Sequence, residues 1–132
     1  MPRILVVDDD KTLLDLLSVH LRSVGYSFVA AADPAVAIRM VLANPPDVIL
    51  LDIALPYLDG FELLQALRGD PMSRDIPVVM LTARDDTESY LRARNLGAVD
   101  YITKPVQRDD LLAAIEKALA GNAGRDADSK PA

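Results

Sequence analysis

The sequence contains no cysteine and no tryptophan among its 132 residues. The absence of cysteine excludes disulfide bonds and thiolate chemistry, and it is compatible with a reducing compartment. Aromatic residues make up only 5% of the chain, whereas hydrophobic residues make up 51%. The core of a single domain must therefore be built mainly from leucine, valine, isoleucine and alanine, which is typical of a parallel sheet covered by helices.

Clustered basic residues and long apolar runs are also missing. The formal net charge is −6, and a surface that binds the phosphate backbone needs clustered lysine and arginine. We therefore expect no direct binding of nucleic acid by this chain. No apolar run approaches the length of a transmembrane helix, and the start of the chain does not resemble a signal peptide. These features predict a cytoplasmic protein without a membrane-bound segment.

Apolar runs of strand length alternate with segments of helical periodicity along the chain. The predicted strands cover residues 4–7, 28–31, 48–51, 77–81 and 101–103. Helix starts are indicated by Asp33 with its following proline and by Asp59 with a glutamate three residues later. This alternation predicts an α/β domain with right-handed parallel crossovers. We expect a flavodoxin-like doubly wound sheet of five parallel strands, in the order 2-1-3-4-5, with five helices.

The helical periodicity of the last segment ends near Gly121, and the following NAGRDADSKPA has no apolar period. We predict one domain over residues 1–121 and a disordered tail or linker over residues 122–132. The helical segment from Asp86 to Leu96 is mostly polar. We expect this helix to be the most loosely held of the five, because few apolar side chains anchor it.

Polar residues follow four of the predicted strands. Asp8 and Asp9 follow the first strand and Asp52 follows the third, while Thr82 and Lys104 follow the fourth and fifth strands. The carboxyl ends of parallel strands lie on one edge of a sheet, and the expected order makes strands one and three neighbours at the switch point. The three aspartates should therefore share a pocket.

Three crowded carboxylates repel one another unless a cation offsets their charge. A hard divalent ion suits such a site, so Mg²⁺ is predicted, with Mn²⁺ as a substitute, and phosphate oxygens usually complete its shell. Lys104 and the Thr82 hydroxyl are suited to bind other oxygens of that phosphoryl group. Asp52 stands singly, whereas Asp8 and Asp9 form a pair fit to hold the metal. Asp52 is therefore predicted to be the nucleophile that becomes an aspartyl phosphate.

Four segments resemble, in order and spacing, the motifs of the receiver domain of bacterial two-component response regulators. They are ILVVDDD, VILLDIALPYLDG, VVMLTA and GAVDYITKP, and the resemblance covers residues 3 to about 121. It implies that Asp52 is the phosphorylation site. It also implies that Asp8 and Asp9 form the acid pocket, with Asp9 nearer the metal, and that the backbone carbonyl of Ala54 is a further Mg²⁺ ligand.

The resemblance assigns switch roles to Thr82 and Tyr101, a phosphoryl contact to Lys104, and a cis peptide bond before Pro105. A phosphoryl group adds roughly two negative charges and three acceptor oxygens. These can draw the Thr82 hydroxyl inward, open space for Tyr101 and change the surface over residues 86–103. The expected function is a signalling switch, activated by Mg²⁺-dependent phosphoryl transfer from a histidine kinase or a small acyl phosphate. Such a switch promotes its own phosphorylation and dephosphorylation rather than acting as a turnover enzyme.

The implied partners are a sensor histidine kinase or phosphotransfer protein, a downstream effector or output domain, and a second copy in a dimer formed on phosphorylation. The alternative is a phosphohydrolase of the haloacid-dehalogenase kind with Asp52 as its nucleophile. Those enzymes resemble DxDx[TV] at the nucleophile. Ala54 stands where they have the second acid, which leaves no general acid for rapid turnover.

Overall fold

The computed structural model describes residues 2–54 and 59–129, and of residues 122–129 it describes the backbone alone. The strands within these ranges are β1 (Arg3–Val7), β2 (Ser27–Ala31), β3 (Val48–Leu51), β4 (Val78–Thr82) and β5 (Asp100–Thr103). The helices are α1 (Lys11–Ser23), α2 (Pro34–Ala43), α3 (Gly60–Gly69), α4 (Thr87–Asn95) and α5 (Arg108–Ser129). All strand pairs are parallel, and the order β2-β1-β3-β4-β5 confirms the predicted flavodoxin-like fold.

Two hydrophobic clusters cover the two faces of this sheet, because successive residues of a strand point to opposite faces. In β1, Leu5 and Val7 pack with residues of α2, α3 and α4, whereas Ile4 and Val6 pack with residues of α1 and α5. All four residues of β3 are fully buried, as expected for a central strand that is covered on both sides. The apolar run before Asp52 is therefore explained by burial. Its last residue lies on the side of the sheet where the strands have their carboxyl ends.

Aspartates begin four of the helices. The side chains of Asp10, Asp33, Asp59 and Asp86 each accept a hydrogen bond from a backbone N–H in the first turn of α1, α2, α3 and α4. The helix starts predicted at Asp33 and Asp59 are thus confirmed. At Asp86, the hydrogen bonds from Ser89 lower the pKa of the carboxyl group. Helix capping thus accounts for these four aspartates.

The last helix differs from its prediction. It continues through Gly121 to Ser129, where we predicted the end of the helix and a disordered tail or linker. A glycine inside a helix costs only about 1 kcal/mol relative to alanine, and no proline intervenes before residue 131. The domain boundary at residue 121 stays a prediction. The helices within the described ranges include none with the length and apolar character needed to cross a bilayer.

Candidate functional site

The carboxyl ends of β1 and β3 bring three aspartates together. Asp8 and Asp9 follow β1 and Asp52 follows β3, and Val7 pairs directly with Leu51 at the ends of these strands. One carboxylate oxygen from each aspartate lies within 4.8 Å of the others. Asp8 and Asp52 are only 1% and 6% exposed, whereas Asp9 faces solvent. The structure therefore forms the acidic pocket that the strand order predicts.

Lys104 is the counter-ion of the two buried acids. Its Nζ lies 2.9 Å from Oδ2 of Asp8 and 3.0 Å from Oδ2 of Asp52. Partial burial acts to lower the pKa of Lys104, but the hydrogen bonds and charges of Asp8 and Asp52 outweigh it, so the pKa is raised. The Lys104–Pro105 peptide bond is cis, as the resemblance implies. The ammonium group therefore stays protonated at neutral pH and bridges the two carboxylates.

The second oxygen of each buried carboxylate binds the backbone. Oδ1 of Asp8 accepts a hydrogen bond of 3.0 Å from the amide of Asp10, and Oδ1 of Asp52 accepts one of 3.1 Å from the amide of Ala54. Each amide lies two residues after its acceptor, which is the arrangement of an Asx turn. These bonds and the Lys104 bridge fix the orientation of both carboxylates before any ligand binds.

The donor set of the pocket fits a hard divalent cation. It consists of carboxylate oxygens alone, which are the ligands that Mg²⁺ prefers in proteins. Asp9 is exposed, so a bound ion could keep the several waters that Mg²⁺ retains. Asp8, Asp9 and Asp52 are thus the side chains that would hold the ion, and their grouping supports the predicted site.

Thr82 and Tyr101 both bind the backbone of Arg84. The Thr82 hydroxyl is buried and accepts a hydrogen bond of 3.2 Å from the amide of Arg84. The Tyr101 hydroxyl donates a hydrogen bond of 2.6 Å to the carbonyl of Arg84. Partial burial raises the pKa of Tyr101, and the negative charge of Asp86 adds to this effect. The two predicted switch residues therefore meet at the loop that joins β4 to α4.

Gly60 is a residue of the site with no predicted role, although it is the last residue of the motif VILLDIALPYLDG. Its amide donates a hydrogen bond of 2.7 Å to the carbonyl of Ile53. A Cβ atom at this position would overlap the carbonyl oxygen of Asp52 and lie 2.6 Å from the Cα atom of Ile53. Only glycine allows α3 to begin this close to the chain that carries Asp52. The available signal was the glycine directly after Asp59, a position that we interpreted only as part of a helix start.

Replacing Lys104 with methionine is expected to lower the free energy of unfolding by about 2 kcal/mol in EDTA, because two buried carboxylates lose their cation. We expect a smaller loss of stability than for a fully buried ion pair, because the lysine side chain is 22% exposed. A raised pKa stabilises the fold below the ordinary lysine value of 10.5. The wild-type contribution should therefore persist at neutral pH and be lost only as the pH rises through the raised pKa.

Urea unfolding of both proteins measures this difference. Lys117→Met is the matched control, since its ammonium group lies 3.9 Å from Asp100 and its side chain is 70% exposed. This control should change stability by less than about 0.5 kcal/mol. Adding Mg²⁺ should stabilise Lys104→Met more than it stabilises the wild type, because the ion replaces the missing charge. Equal losses in the two variants would contradict the bridging role.

The chain is similar to known proteins over most of its length. A model of the response regulator receiver domain family matches residues 4–116. The chain is 40% identical over 119 residues to RpaA, a DNA-binding dual master transcriptional regulator of Synechocystis, covering 90% of this chain and 49% of the relative. It is 41% identical over 128 residues to the transcriptional regulatory protein PrrA of Mycobacterium bovis, covering 97% of this chain and 54% of the relative. The chain thus spans about half the length of the curated relatives it matches.

Among solved structures, a CheY-like response regulator receiver domain protein from Methanospirillum hungatei superposes with a TM-score of 0.88 at 31% identity, covering 95% of this chain and 98% of that chain. The comparisons give no support to the phosphohydrolase alternative. The name of RpaA, a DNA-binding regulator, conflicts with the expected absence of nucleic-acid binding, and we withdraw that expectation. The net charge of −6 describes only the segment that matches about half of such a relative, and it carries no information on the other half.

Proposed function

Because the chain belongs to the receiver domain family of two-component response regulators, we propose that Asp52 is the residue that accepts the phosphoryl group. The observation that carries this proposal is the environment of its carboxylate. Asp52 is buried at the end of β3, with Oδ1 bound to the amide of Ala54 and Oδ2 bound to Lys104. It is therefore a fixed oxygen nucleophile beside a cation and two further acids.

Asp8 and Asp9 are the proposed metal-binding pair, with the carbonyl of Ala54 as a further ligand. When bound, Mg²⁺, or Mn²⁺ in its place, supplies positive charge that offsets the negative charges of the acids and of the incoming phosphoryl group. Lys104 already contacts both Asp8 and Asp52. It can keep its bond to Asp8 while it turns from Asp52 to a phosphoryl oxygen.

The reaction we propose is a direct displacement at phosphorus. A carboxylate oxygen of Asp52 forms a bond to the phosphorus of a phosphohistidine or an acyl phosphate, and the bond from phosphorus to the donor's nitrogen or oxygen breaks. The buried position of Asp52 limits access of water to the product. Lys104 contributes by binding a phosphoryl oxygen as charge develops on it.

Phosphorylation would then act on the β4–α4 loop. The hydroxyl of Thr82 would leave the amide of Arg84 for a phosphoryl oxygen, and Tyr101 would lose its bond to the carbonyl of Arg84. In the structure both hydrogen bonds are made with the backbone of Arg84, which supports a coupled rearrangement of Thr82 and Tyr101. The changed surface over residues 86–103 would carry the signal.

The partners we propose are a sensor histidine kinase or phosphotransfer protein and an output domain or effector, with a dimer formed on phosphorylation, all in the cytoplasm. The transcriptional names of the relatives support an output that acts on gene expression. The segment over residues 122–132 would connect the domain over residues 1–121 to that output. Its helical backbone up to Ser129 favours a helical connection.

Incubation with acetyl phosphate and Mg²⁺, followed by intact mass spectrometry, tests the proposal. We expect addition of one phosphoryl group per chain, stable in acid and labile in base, because an acyl phosphate is formed. Peptide mapping after reduction with borohydride should place it on Asp52. EDTA should abolish the addition. An adduct on another residue, or undiminished addition in EDTA, would contradict the site.

A further inference from the structure

Tyr90 of α4 contacts the switch tyrosine of β5. The ring centroids of Tyr90 and Tyr101 lie 5.7 Å apart, and their planes meet at 75° in an edge-to-face arrangement. Tyr90 is 39% exposed, so its ring lies at the surface and the buried core does not account for its position. Such aromatic pairs stabilise a conformation beyond the area that they bury.

The ring of Tyr90 is itself held by its own helix. Arg94 lies one turn further along α4, and its Nη1 donates a hydrogen bond of 3.3 Å to the hydroxyl of Tyr90. Pairs with this spacing face each other on a helix surface. The bond orients the hydroxyl end of Tyr90 toward Arg94 and leaves the ring against Tyr101.

Tyr101 is thus held at two points. Its hydroxyl binds the carbonyl of Arg84, and its ring meets the ring of Tyr90. We call the conformation with both contacts the outward position. An inward turn of Tyr101 would carry its hydroxyl away from the carbonyl of Arg84 and would separate its ring from the ring of Tyr90, so each contact would favour the outward position alone.

We propose that Tyr90 is a latch that holds Tyr101 in the outward position and thereby slows phosphorylation of Asp52. Tyr90 touches neither the phosphoryl group nor the metal site, so it is a positioning residue that acts through Tyr101. The inference rests on the proposed function, in which the inward position accompanies phosphorylation. Because the inward position favours phosphorylation in that function, a contact made only in the outward position lowers the fraction of molecules that are ready to be phosphorylated.

The rate of phosphorylation by subsaturating acetyl phosphate tests the latch. Tyr90→Ala is expected to raise the rate constant roughly 2- to 10-fold, the factor that loss of one aromatic pair gives. Tyr90→Phe keeps the ring and loses only the bond to Arg94, so its rate should stay near that of the wild type. A merely structural role predicts the opposite for Tyr90→Ala, because a damaged domain reacts more slowly. A rate at or below the wild-type rate in Tyr90→Ala would overturn the latch.

A second measurement separates this inference from the proposed function. Three-bond couplings of Tyr101 report its χ1 rotamers by NMR in the unphosphorylated protein, so they need no phosphoryl transfer. The wild type should show one dominant rotamer, and Tyr90→Ala should populate a second one. An unchanged rotamer distribution would overturn the latch even if the wild type is phosphorylated normally. Failure of the wild type to react with acetyl phosphate would instead overturn the proposed function.

Discussion

Asp52→Asn is expected to abolish phosphoryl addition from acetyl phosphate and Mg²⁺, lowering the rate by at least about 100-fold. The amide is a poor nucleophile, and it removes one of the charges that would hold the metal. Its oxygen can still accept the hydrogen bond from the amide of Ala54, and Lys104 can still bind Asp8. The fold should therefore remain, with a urea midpoint close to that of the wild type. Time courses of intact mass measure the loss of addition.

Asp59→Asn is the matched control for this substitution. Asp59 is the N-cap of α3 and accepts a hydrogen bond from the amide of Phe61. Asparagine caps helices about as well as aspartate does, so this variant should be phosphorylated at the wild-type rate. Addition to Asp52→Asn at a similar rate would show that a different carboxylate accepts the group.

The sheet and the acidic pocket could be predicted because both depend on short-range patterns. Apolar runs separated by helical periodicity predict parallel strands, and the order common to such sheets places Asp8 and Asp52 at adjacent strand ends. The residues directly after two neighbouring strands cannot lie far apart. This is why the convergence follows from the sequence before any side-chain contact is known.

Side-chain contacts that depend on the path of a loop or the rotation of a helix could not be predicted in this way. The bridge from Lys104 to both Asp8 and Asp52 depends on the path of the chain after β5. The contact between Tyr90 and Tyr101 depends on how α4 is rotated against the sheet. A mostly polar helix carries too few apolar residues to fix that rotation from its periodicity.

The closeness of two backbone segments is equally invisible to a hydrophobic pattern. The start of α3 lies against the chain that follows β3, and the periodicity of apolar side chains does not predict this close backbone contact. Gly60 marks it only by the absence of a side chain. The Asp-Gly pair has two roles here, since Asp59 caps the helix while Gly60 allows it to begin beside Asp52.

Gly60→Ala is expected to lower the free energy of unfolding by about 3 kcal/mol, the upper end of the usual cost of overpacking. The added methyl group would meet the carbonyl oxygen of Asp52 and the Cα atom of Ile53. Both are backbone atoms, which cannot turn aside as the end of a flexible side chain could. Relief requires α3 and the segment with Asp52 to separate, so the Asp52 carboxylate should move relative to Lys104.

Gly69→Ala, at the other end of α3, separates this contact from a general effect of alanine in the helix. A Cβ atom at Gly69 meets nothing within 4 Å, and alanine favours helix over glycine by about 1 kcal/mol. Urea unfolding should therefore show a loss for Gly60→Ala and no loss for Gly69→Ala. Phosphorylation by acetyl phosphate, measured well below the unfolding transition, should be slowed only in Gly60→Ala, because only that methyl group displaces the nucleophile. If both variants retain wild-type stability and rate, the backbone around Asp52 is not rigid enough to hold the carboxylate in the orientation that the proposed reaction requires.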